Sequence, residues 1–177
     1  TFGKGMANGM PISAVVGRSE IMDEMENIFF SGTFGGELLS LAAANEVLDR
    51  YQKVNVTDRL KYSGETLVSQ LMSLIEGLKL KEVLRISGHP SWSFLTWNES
   101  HGFTSDEIKT YFAQLMYENG LLILSTHNVS LAHTGRVLNQ TEKVYERVLT
   151  EISEAINDGN LREKLKVEPL LPLFKVR

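Results

Sequence analysis

The chain opens with the segment TFGKGMANGMP (residues 1–11), and the apolar run ISAVV (residues 12–16) follows it directly. The glycines, methionines and proline of the first segment predict a loop, and the apolar run predicts a short buried strand that ends at Gly17. Lys4 therefore lies in a loop of small residues just before a strand. Both sequence neighbours of Lys4 are glycines, which leave room for a bulky group to approach the backbone.

A lysine in such a loop has two interpretations. Its amine forms an imine with a carbonyl compound only when it is unprotonated, which requires burial or a neighbouring positive charge. Most lysines are exposed and charged, so a solvent-facing loop residue is the simpler interpretation of Lys4. The neighbouring residues alone do not choose between the two.

A second glycine-rich segment, SGTFGGE (residues 31–37), precedes a predicted helix from Glu37 to Gln52. A loop of this kind presents backbone N–H groups and the positive end of the helix dipole to an anion, and Thr33 adds a hydroxyl donor. Glu37 at the helix start would repel an anion placed directly on it. The segment lacks the lysine and spacing of a Walker loop, and a simple tight turn is the alternative interpretation.

A third segment, VSLAHT (residues 129–134), places His133 among small and hydroxyl-bearing residues. Such a histidine can act as a base, but a hydrogen-bonded structural residue is the commoner case. The other histidines are scattered without metal-ligand spacing and the chain has no cysteine, so the sequence predicts no metal site.

Hydrophobic spacing and turn residues predict a strand–helix region, a long helix, and then a smaller strand–strand–helix–strand–helix unit, with a boundary near Val54. The predicted helices are Glu20 to Met25, Glu37 to Gln52, Thr57 to Glu76, Thr104 or Ser105 to Gly120, and Asn139 to Asn157, and the predicted strands are Val83 to Ile86, Trp92 to Trp97, Leu121 to Leu124 and Val129 to Ala132. Ser19 is the predicted cap of the first helix, Leu161 to Leu165 a short turn, and Pro169 and Pro172 mark an extended tail.

The composition favours a globular protein and excludes several classes of partner. Hydrophobic residues make up 42% and charged residues 23% of the 177, and the net charge is -4 without a basic block. Binding to nucleic acid therefore has little electrostatic support. No apolar run approaches the roughly 18 residues of a membrane helix, so we expect no membrane partner and a cytoplasmic protein. The first residue is not methionine, and we expect the chain to be part of a longer protein.

Together these segments resemble one family, the class III pyridoxal-phosphate-dependent aminotransferases. TFGKG (residues 1–5) with GMPISAVVG (residues 9–17) is similar to the family's cofactor-lysine segment. SGTFGG (residues 31–36) is similar to its later Gly-Thr loop, and SLAHT (residues 130–134) resembles a run near the C-terminus of the glutamate-1-semialdehyde 2,1-aminomutase branch. The three matches occur in the family's order and span nearly the whole chain, with the aminomutase branch as the nearest resemblance.

The resemblance implies an α/β fold, the C-terminal part of a fold type I transferase. Residues 1–53 would end the large sheet domain, and residues 54–177 would form a connecting helix and the small α+β domain. It implies pyridoxal phosphate as cofactor, with Lys4 as the catalytic residue that forms the Schiff base. Thr33 and Gly32 would bind the cofactor phosphate in the other subunit of a homodimer with a shared active site. The substrates would be an amino donor and a keto or aldehyde acceptor, in an aminotransferase or an aminomutase reaction.

The chain departs from the family pattern after Gly36, where the aminomutases often carry Asn-Pro and this chain has Glu37-Leu38. The family's acidic partner of the pyridine nitrogen, its stacking aromatic residue and its first phosphate loop all precede the cofactor lysine, so this chain would hold part of an active site. Arg85 and Arg136 are candidates to pair with a substrate carboxylate. The alternative function is a catalytically degenerate relative that acts as an interaction domain, because fold does not imply function.

Overall fold

The computed structural model describes residues 1–171. The chain divides into two compact units, one of residues Thr1–Thr57 and one that begins at Asp58. The sequence places the boundary near Val54, close to this division. The assignment of residues 1–53 to a large domain and of residues 54–177 to a connecting helix and small domain stays a prediction.

Within the described residues, six α-helices and three strands follow one another, beside two short 3-10 helices. In chain order they are the 3-10 helix Lys4–Met6, α1 Ser19–Met22, the 3-10 helix Asp23–Asn27, α2 Leu38–Lys53, α3 Val56–Gly77, β1 Leu84–His89, β2 Trp92–Trp97, α4 Ser105–Glu118, β3 Thr126–Asn128, α5 Gly135–Asn157 and α6 Leu161–Lys164. No helix among residues 1–171 is both long and apolar enough to cross a membrane.

Helix α2 is the main element of the first unit, and it lies within one residue of its predicted bounds. Its buried face includes Ser40 and Ala44, which are one turn apart. The helix contacts the 3-10 helix that contains Lys4, and Ala7, just after that 3-10 helix, is also buried. The small residues of α2 therefore lie on the face through which the first unit packs.

The buried strand predicted at residues 12–16 is wrong. Only Ala14 pairs, in a bridge with Phe2 in which each N–H donates to the other's carbonyl oxygen, at 2.7 and 2.9 Å. Val15 and Val16 are exposed. A strand requires a neighbour along its length for its backbone hydrogen bonds, and residues 1–171 offer this segment no such neighbour.

The second unit is built on a three-stranded antiparallel sheet in the order β1-β2-β3. β1 and β2 form a hairpin that runs from the pair Leu84–Trp97 to the pair His89–Trp92, and β2 has its predicted bounds. Alternate residues of β2, Ser93, Leu95 and Trp97, are buried, as the two-residue period of a strand requires.

The helices of the second unit bury apolar faces at helical spacing. α4 packs on α5 and on β2, and all five apolar residues predicted for the inner face of α4 are buried. The core of the unit draws on α3 through Leu67, Leu71 and Ile75, on α4 through Ile108, Tyr111, Phe112, Leu115 and Met116, and on α5 through Tyr145, Val148, Leu149, Ile152 and Ile156.

The predicted start of α4 is confirmed in detail, with Thr104 as its N-cap. The hydroxyl of Thr104 accepts from the N–H of Glu107 at 3.2 Å, and the Glu107 carboxylate accepts from the N–H of Thr104 at 2.7 Å, which forms a capping box. Arg162 donates to the same carboxylate. The guanidinium of Arg162, with the N–H of Thr104, lowers the pKa of Glu107 to about 2.

Helix α3 approaches the β1–β2 turn very closely at Gly64. A Cβ atom at this position would lie 2.3 Å from the carbonyl oxygen of Pro90 and 2.7 Å from the N of Ser91. Real Cβ atoms do not approach backbone atoms this closely, so only glycine permits this contact. Gly64 thus fixes the distance between the helix and the hairpin.

Four further sequence predictions need correction. The predicted strand Leu121 to Leu124 is irregular, because the pairing with β2 begins only at Ser125, whose carbonyl oxygen accepts from the N–H of Leu95 at 2.8 Å. Val129 to Ala132, predicted as a strand, follow the end of β3 and enter a turn in which the N–H of His133 donates to the carbonyl oxygen of Ser130.

The other two corrections concern helix starts. Ser19 is the first residue of α1, and Arg18 occupies the N-cap position without a side-chain hydrogen bond. α5 begins at Gly135, four residues before its predicted start at Asn139. The predicted turn after Leu161 forms the short helix α6, while Pro172 of the predicted tail lies outside the described residues.

Candidate functional site

Lys4 begins a single 3-10 turn whose backbone is held on both sides. The bridge between Phe2 and Ala14 precedes it, the N–H of Met6 donates to Gly3 at 2.8 Å, and the N–H of Gly9 donates to the carbonyl oxygen of Lys4 at 3.2 Å. Gly9 has φ +102°, a conformation that favours glycine. The loop thus presents Lys4 from a defined backbone position.

The side chain of Lys4 is exposed, and within residues 1–171 it makes no hydrogen bond or ion pair. Burial, which would favour an unprotonated amine, is therefore not supplied by the described residues. The backbone beside Lys4 is open, because no described atom beyond the chain neighbours lies within 4 Å of a Cβ built on Gly3 or on Gly5. A bulky group can therefore approach Lys4 as the glycines predict.

The loop that contains Gly32 and Thr33 is held by two turns. The N–H of Gly35 donates to the carbonyl oxygen of Gly32 at 3.1 Å, and that of Glu37 donates to the carbonyl oxygen of Phe34 at 3.3 Å. Within residues 1–171, no hydrogen bond uses the Thr33 hydroxyl or the N–H groups of Thr33, Phe34 and Gly36. These four donors remain free to bind an acceptor.

The N-terminus of α2 differs from the anion site that the sequence allowed. Glu37 is its N-cap, and its carboxylate accepts from the N–H of Leu39 at 2.9 Å and of Ser40 at 2.6 Å. The protein's own carboxylate thus occupies the donors that an anion at the helix end would use. An anion in this loop would have to bind through the hydroxyl of Thr33 and the N–H groups of Thr33, Phe34 and Gly36.

His133 closes a turn in the second unit. The imidazole Nδ1 of His133 accepts from the backbone N–H of Ser130 at 3.0 Å and lies 3.0 Å from the Ser130 hydroxyl oxygen. The backbone N–H of His133 donates to the Ser130 carbonyl oxygen. An acceptor Nδ1 places the ring proton of the neutral imidazole on Nε2. These contacts are those of a structural histidine, the commoner of the two interpretations.

Sequence reasoning missed a buried polar chain in the second unit. The Nδ1 of His127 lies 2.8 Å from the hydroxyl oxygen of Ser93, and its Nε2 lies 2.6 Å from the phenolic oxygen of Tyr145. All three residues are buried. Burial, and then the nearby His133, lower the pKa of His127 to about 4, and burial raises the pKa of Tyr145.

The sequence contains little sign of this buried polar network, because no strand is predicted where β3 lies. Without that strand, nothing placed His127 on the same face as Ser93. His127, His133 and Tyr145 also line a cavity of about 280 Å³, together with Asn128 and aliphatic side chains. Both imidazole nitrogens of His127 are already paired, so we interpret Ser93, His127 and Tyr145 as a structural hydrogen-bond network.

The two arginines considered for a substrate carboxylate are both on the surface. Arg85 is exposed on β1 and Arg136 is exposed at the start of α5. Neither side chain makes a hydrogen bond or ion pair among residues 1–171. No cluster of three or more His, Asp or Glu side chains suited to a metal ion occurs in the same described part of the chain.

The sequence and fold match known proteins over most of the chain. The family model described as "Aminotransferase class-III" matches residues 1–156. Acetylornithine aminotransferase of Halalkalibacterium halodurans is 32% identical over 88 residues, which are 50% of this chain and 23% of that protein. Glutamate-1-semialdehyde 2,1-aminomutase of Methanosphaera stadtmanae is 30% identical over 170 residues, which are 86% of this chain and 38% of that protein.

The fold is shared with the FumI protein of Sphingopyxis sp. MTA144, solved in its PLP internal aldimine form. The TM-score is 0.77 at 24% identity, over 88% of this chain and 37% of FumI. The chain therefore has the α/β fold of part of a PLP-dependent transaminase, and it spans less than two fifths of the length of these relatives. Because the family model covers far more than half of its residues, the chain belongs to the class III aminotransferase family.

Proposed function

We propose that the protein carrying this chain transfers amino groups with pyridoxal phosphate, and that Lys4 holds the cofactor through a Schiff base. The observation that carries the proposal is the position of Lys4: a glycine-flanked turn with a fixed backbone, an open approach and an amine without a partner in residues 1–171. The resemblance of this turn to the cofactor-lysine segment, in a chain that belongs to the family, supports the assignment.

The residues around Lys4 fit a bulky cofactor. A side chain in place of Gly3 or Gly5 would fill space that is open in this structure. The Lys4 amine would have no ion pair or hydrogen bond of the described residues to break before it reacted. Burial that keeps this amine unprotonated would have to come from parts of the protein other than residues 1–171.

Thr33 and Gly32 are the proposed phosphate-binding residues, acting in the other subunit of a homodimer. Within residues 1–171 the Thr33 hydroxyl and the N–H groups of Thr33, Phe34 and Gly36 make no hydrogen bond, and this supports the role, because phosphate oxygens accept from such donors. Glu37 stays occupied as the cap of α2, which keeps its carboxylate on the helix amides. Glu37 and Leu38, which stand where the aminomutases often carry Asn-Pro, therefore form the start of α2.

When bound, the cofactor supplies the electron sink for the reaction, and the protein supplies orientation and charge. The Lys4 amine would serve as the base and acid that moves a proton from and to the substrate, a role for which enzymes lower the pKa of lysine to about 7–8. His133, bound to Ser130, supports the local turn.

The substrates are an amino donor and a keto or aldehyde acceptor. The reaction is either transfer between two molecules, as in an aminotransferase, or movement within one molecule, as in an aminomutase. The two share their chemical steps and differ in whether the intermediate product escapes before the second half of the reaction. We also propose that the chain is part of a longer protein and that this protein is cytoplasmic.

The experiment follows the first half-reaction in the full-length protein, by mixing it with cofactor and single amino donors and recording the cofactor absorbance. We expect donor-dependent conversion in the unmodified protein and a loss of about 10²–10⁴-fold in rate for Lys4→Ala, the range for a missing acid–base group. Lys53→Ala, on the surface of α2 and paired with Asp49, is the matched control and should keep the rate. Equal rates in Lys4→Ala and unmodified protein would contradict the proposal, and no cofactor uptake at all would favour a degenerate relative.

A further inference from the structure

Two consecutive residues with positive φ close the loop that contains Lys4. Asn8 has φ +49° and Gly9 has φ +102°, and no other residue of Thr1–Thr57, all of which the structure describes, has a positive φ. The chain reverses here, so that the N–H of Gly9 donates to the carbonyl oxygen of Lys4 at 3.2 Å. The positive φ values thus belong to the turn that returns the chain to Lys4.

Glycine is required at residue 9 by the backbone conformation and not by a lack of space. A Cβ atom built on Gly9 meets no described atom within 4 Å beyond its chain neighbours. A residue with a side chain rarely adopts a φ near +102°, whereas glycine does so without steric cost. Asn8 fits the same turn, because asparagine tolerates a left-handed backbone better than most residues. A side chain in place of Gly9 would therefore shift the turn itself.

This turn acts directly on the backbone of Lys4. The carbonyl oxygen of Lys4 accepts from Gly9, and the carbonyl oxygen of Ala7 accepts from the N–H of Met10 at 3.1 Å. Ala7 is buried while Lys4 is exposed, so the turn is anchored on one side and presents Lys4 on the other. Because the side chain of Lys4 has no partner among residues 1–171, the position of its amine depends on the position of its backbone.

The reaction proposed for Lys4 is sensitive to the position of its nitrogen. In Schiff-base formation the unprotonated nitrogen bonds to the aldehyde carbon of the cofactor, and the two amine protons leave with the aldehyde oxygen as water. The reacting atoms must approach to about 3–3.5 Å in the right orientation, and a displacement of about 1 Å can cost about 10²-fold in rate. A fixed Lys4 backbone therefore contributes to the rate of this step, although Gly9 supplies no reacting group.

We infer that Gly9 is a positioning residue for Lys4, an assignment that rests on the proposed function of Lys4. The φ of +102° directs the N–H of Gly9 to the Lys4 carbonyl oxygen, and this hydrogen bond holds the Lys4 backbone where its amine meets the aldehyde of the cofactor. The role of Gly9 is confined to the covalent step. Binding of the cofactor phosphate, which is assigned to Gly32 and Thr33, does not depend on it.

The test separates the covalent step from cofactor binding, in the full-length protein freed of cofactor. Pyridoxal phosphate forms the Schiff base, and absorbance after mixing gives the rate. Pyridoxamine phosphate has an amine in place of the aldehyde, so it binds without bonding to Lys4, and calorimetry gives its affinity. In Gly9→Ala we expect Schiff-base formation to slow by about 10²-fold, while the affinity for pyridoxamine phosphate stays unchanged.

Gly159→Ala is the matched control for backbone strain. Gly159 has φ +72°, its N–H donates to the carbonyl oxygen of Ile156 at 3.3 Å, and it lies between α5 and α6 in the second unit. Its replacement strains a turn of similar φ outside the Lys4 loop and should leave both measurements unchanged. Asn8→Ala strains the Lys4 turn more mildly and should slow Schiff-base formation by less than Gly9→Ala does. Asn8→Gly permits the positive φ and should retain the rate.

An unmodified rate of Schiff-base formation in Gly9→Ala overturns the inference. A loss of affinity for pyridoxamine phosphate as large as the loss of rate also overturns it, because Gly9 would then only support the fold of the loop. If Gly9→Ala does not fold, Asn8→Ala decides in its place, and a rate equal to that of Asn8→Gly overturns the inference. Lys4→Ala tests the proposed function separately: Schiff-base formation that persists in Lys4→Ala refutes the proposed function and the inference with it, whereas its loss leaves Gly9 to be judged on its own variants.

Discussion

The imidazole of His127 and the phenol of Tyr145 share a buried hydrogen bond, with 2.6 Å between Nε2 and the phenolic oxygen. The bond joins β3 to α5, and Ser93 of β2 completes it on the other ring nitrogen at 2.8 Å. The neutral imidazole of His127 therefore links β2, β3 and α5, the most amphipathic helix described in the second unit, through hydrogen bonds. Its protonation would place a charge in the core, because His127 is only 7% exposed.

The first prediction is a loss of stability as the pH falls below 6.5. The unfolded chain binds a proton at His127 near pH 6.5, whereas the folded protein, with a pKa of about 4, does not. The unfolded state thus holds more protons between pH 6.5 and 4, so the contribution is complete above pH 6.5 and declines through this window, by about 3 kcal/mol in total. Urea unfolding at several pH values measures it.

Comparison of two histidine variants assigns that pH dependence. In His127→Asn the decline between pH 6.5 and 4 should shrink, although the variant is less stable at pH 7. His89→Asn, which changes an exposed histidine of β1, should keep the slope of the unmodified protein. The same slope in His127→Asn as in unmodified protein would mean that another group is responsible.

Removing the phenolic oxygen should leave His127 with one unpaired ring nitrogen. Tyr145→Phe keeps the ring that packs against Phe112, with centroids 6.0 Å apart, and removes only the hydroxyl. We expect a loss of about 1–3 kcal/mol in the free energy of unfolding at pH 7, the cost of an unsatisfied buried group. Thermal or urea unfolding with Tyr117→Phe, an exposed tyrosine of α4, as control provides the measurement.

Helix α3 should not tolerate a side chain at Gly64. Gly64→Ala would place a methyl group 2.3 Å from the carbonyl oxygen of Pro90, and the hairpin must move to accept it. We expect a loss of about 1–3 kcal/mol, typical of overpacking. Gly77→Ala, in the last turn of the same helix with no atom within 4 Å, should be neutral or stabilising, since alanine favours helix. Equal effects of both changes in urea unfolding would refute the close approach.

The Gly-Thr loop should bind the cofactor phosphate through its hydroxyl. Thr33→Val keeps the shape of the side chain without the donor, and we expect about tenfold weaker binding of pyridoxal phosphate to the full-length protein, as for a hydrogen bond to a charged group. Thr33→Ser keeps a hydroxyl and should retain most of the affinity. Fluorescence or absorbance titration reports both, and equal affinities for the two variants would remove Thr33 from the site.

The helices of the second unit were predictable because their apolar residues keep one period over many turns. Helix α3 is observed at Val56–Gly77 against a predicted Thr57 to Glu76, and α4 begins directly after Thr104, one of the two caps predicted for it. β2 was predictable because its alternating residues lie between turn signals. These features depend on neighbours that are close in sequence.

Features that depend on distant neighbours were not predictable. Ile12–Val16 has the composition of a strand, but only Ala14 finds a pairing partner in the described residues. Leu121–Leu124 are equally apolar, yet the edge of β2 pairs with Thr126–Asn128. The links from His127 to Ser93 and Tyr145 cross 34 and 18 residues of sequence, so no local pattern announces them.

The candidate site was predicted by resemblance more than by physics. The residues around Lys4 allow both an exposed and a reactive lysine, and the resemblance of residues 1–17 to the family's cofactor-lysine segment favours the second. The structure adds an open, fixed backbone at Lys4 and donors at Thr33 that have no partner in the described part of the chain, and it shows that Glu37 caps α2. The role of each residue toward the cofactor stays a prediction.

Borohydride reduction shows whether Lys4 bonds covalently to pyridoxal phosphate. The full-length protein is incubated with the cofactor, reduced, digested and mapped by mass spectrometry. We expect a pyridoxyl phosphate group on Lys4 and none on the corresponding peptide of Lys4→Ala. A protein that takes up the cofactor but carries the reduced group on another lysine, or on none, would exclude Lys4 as the cofactor lysine.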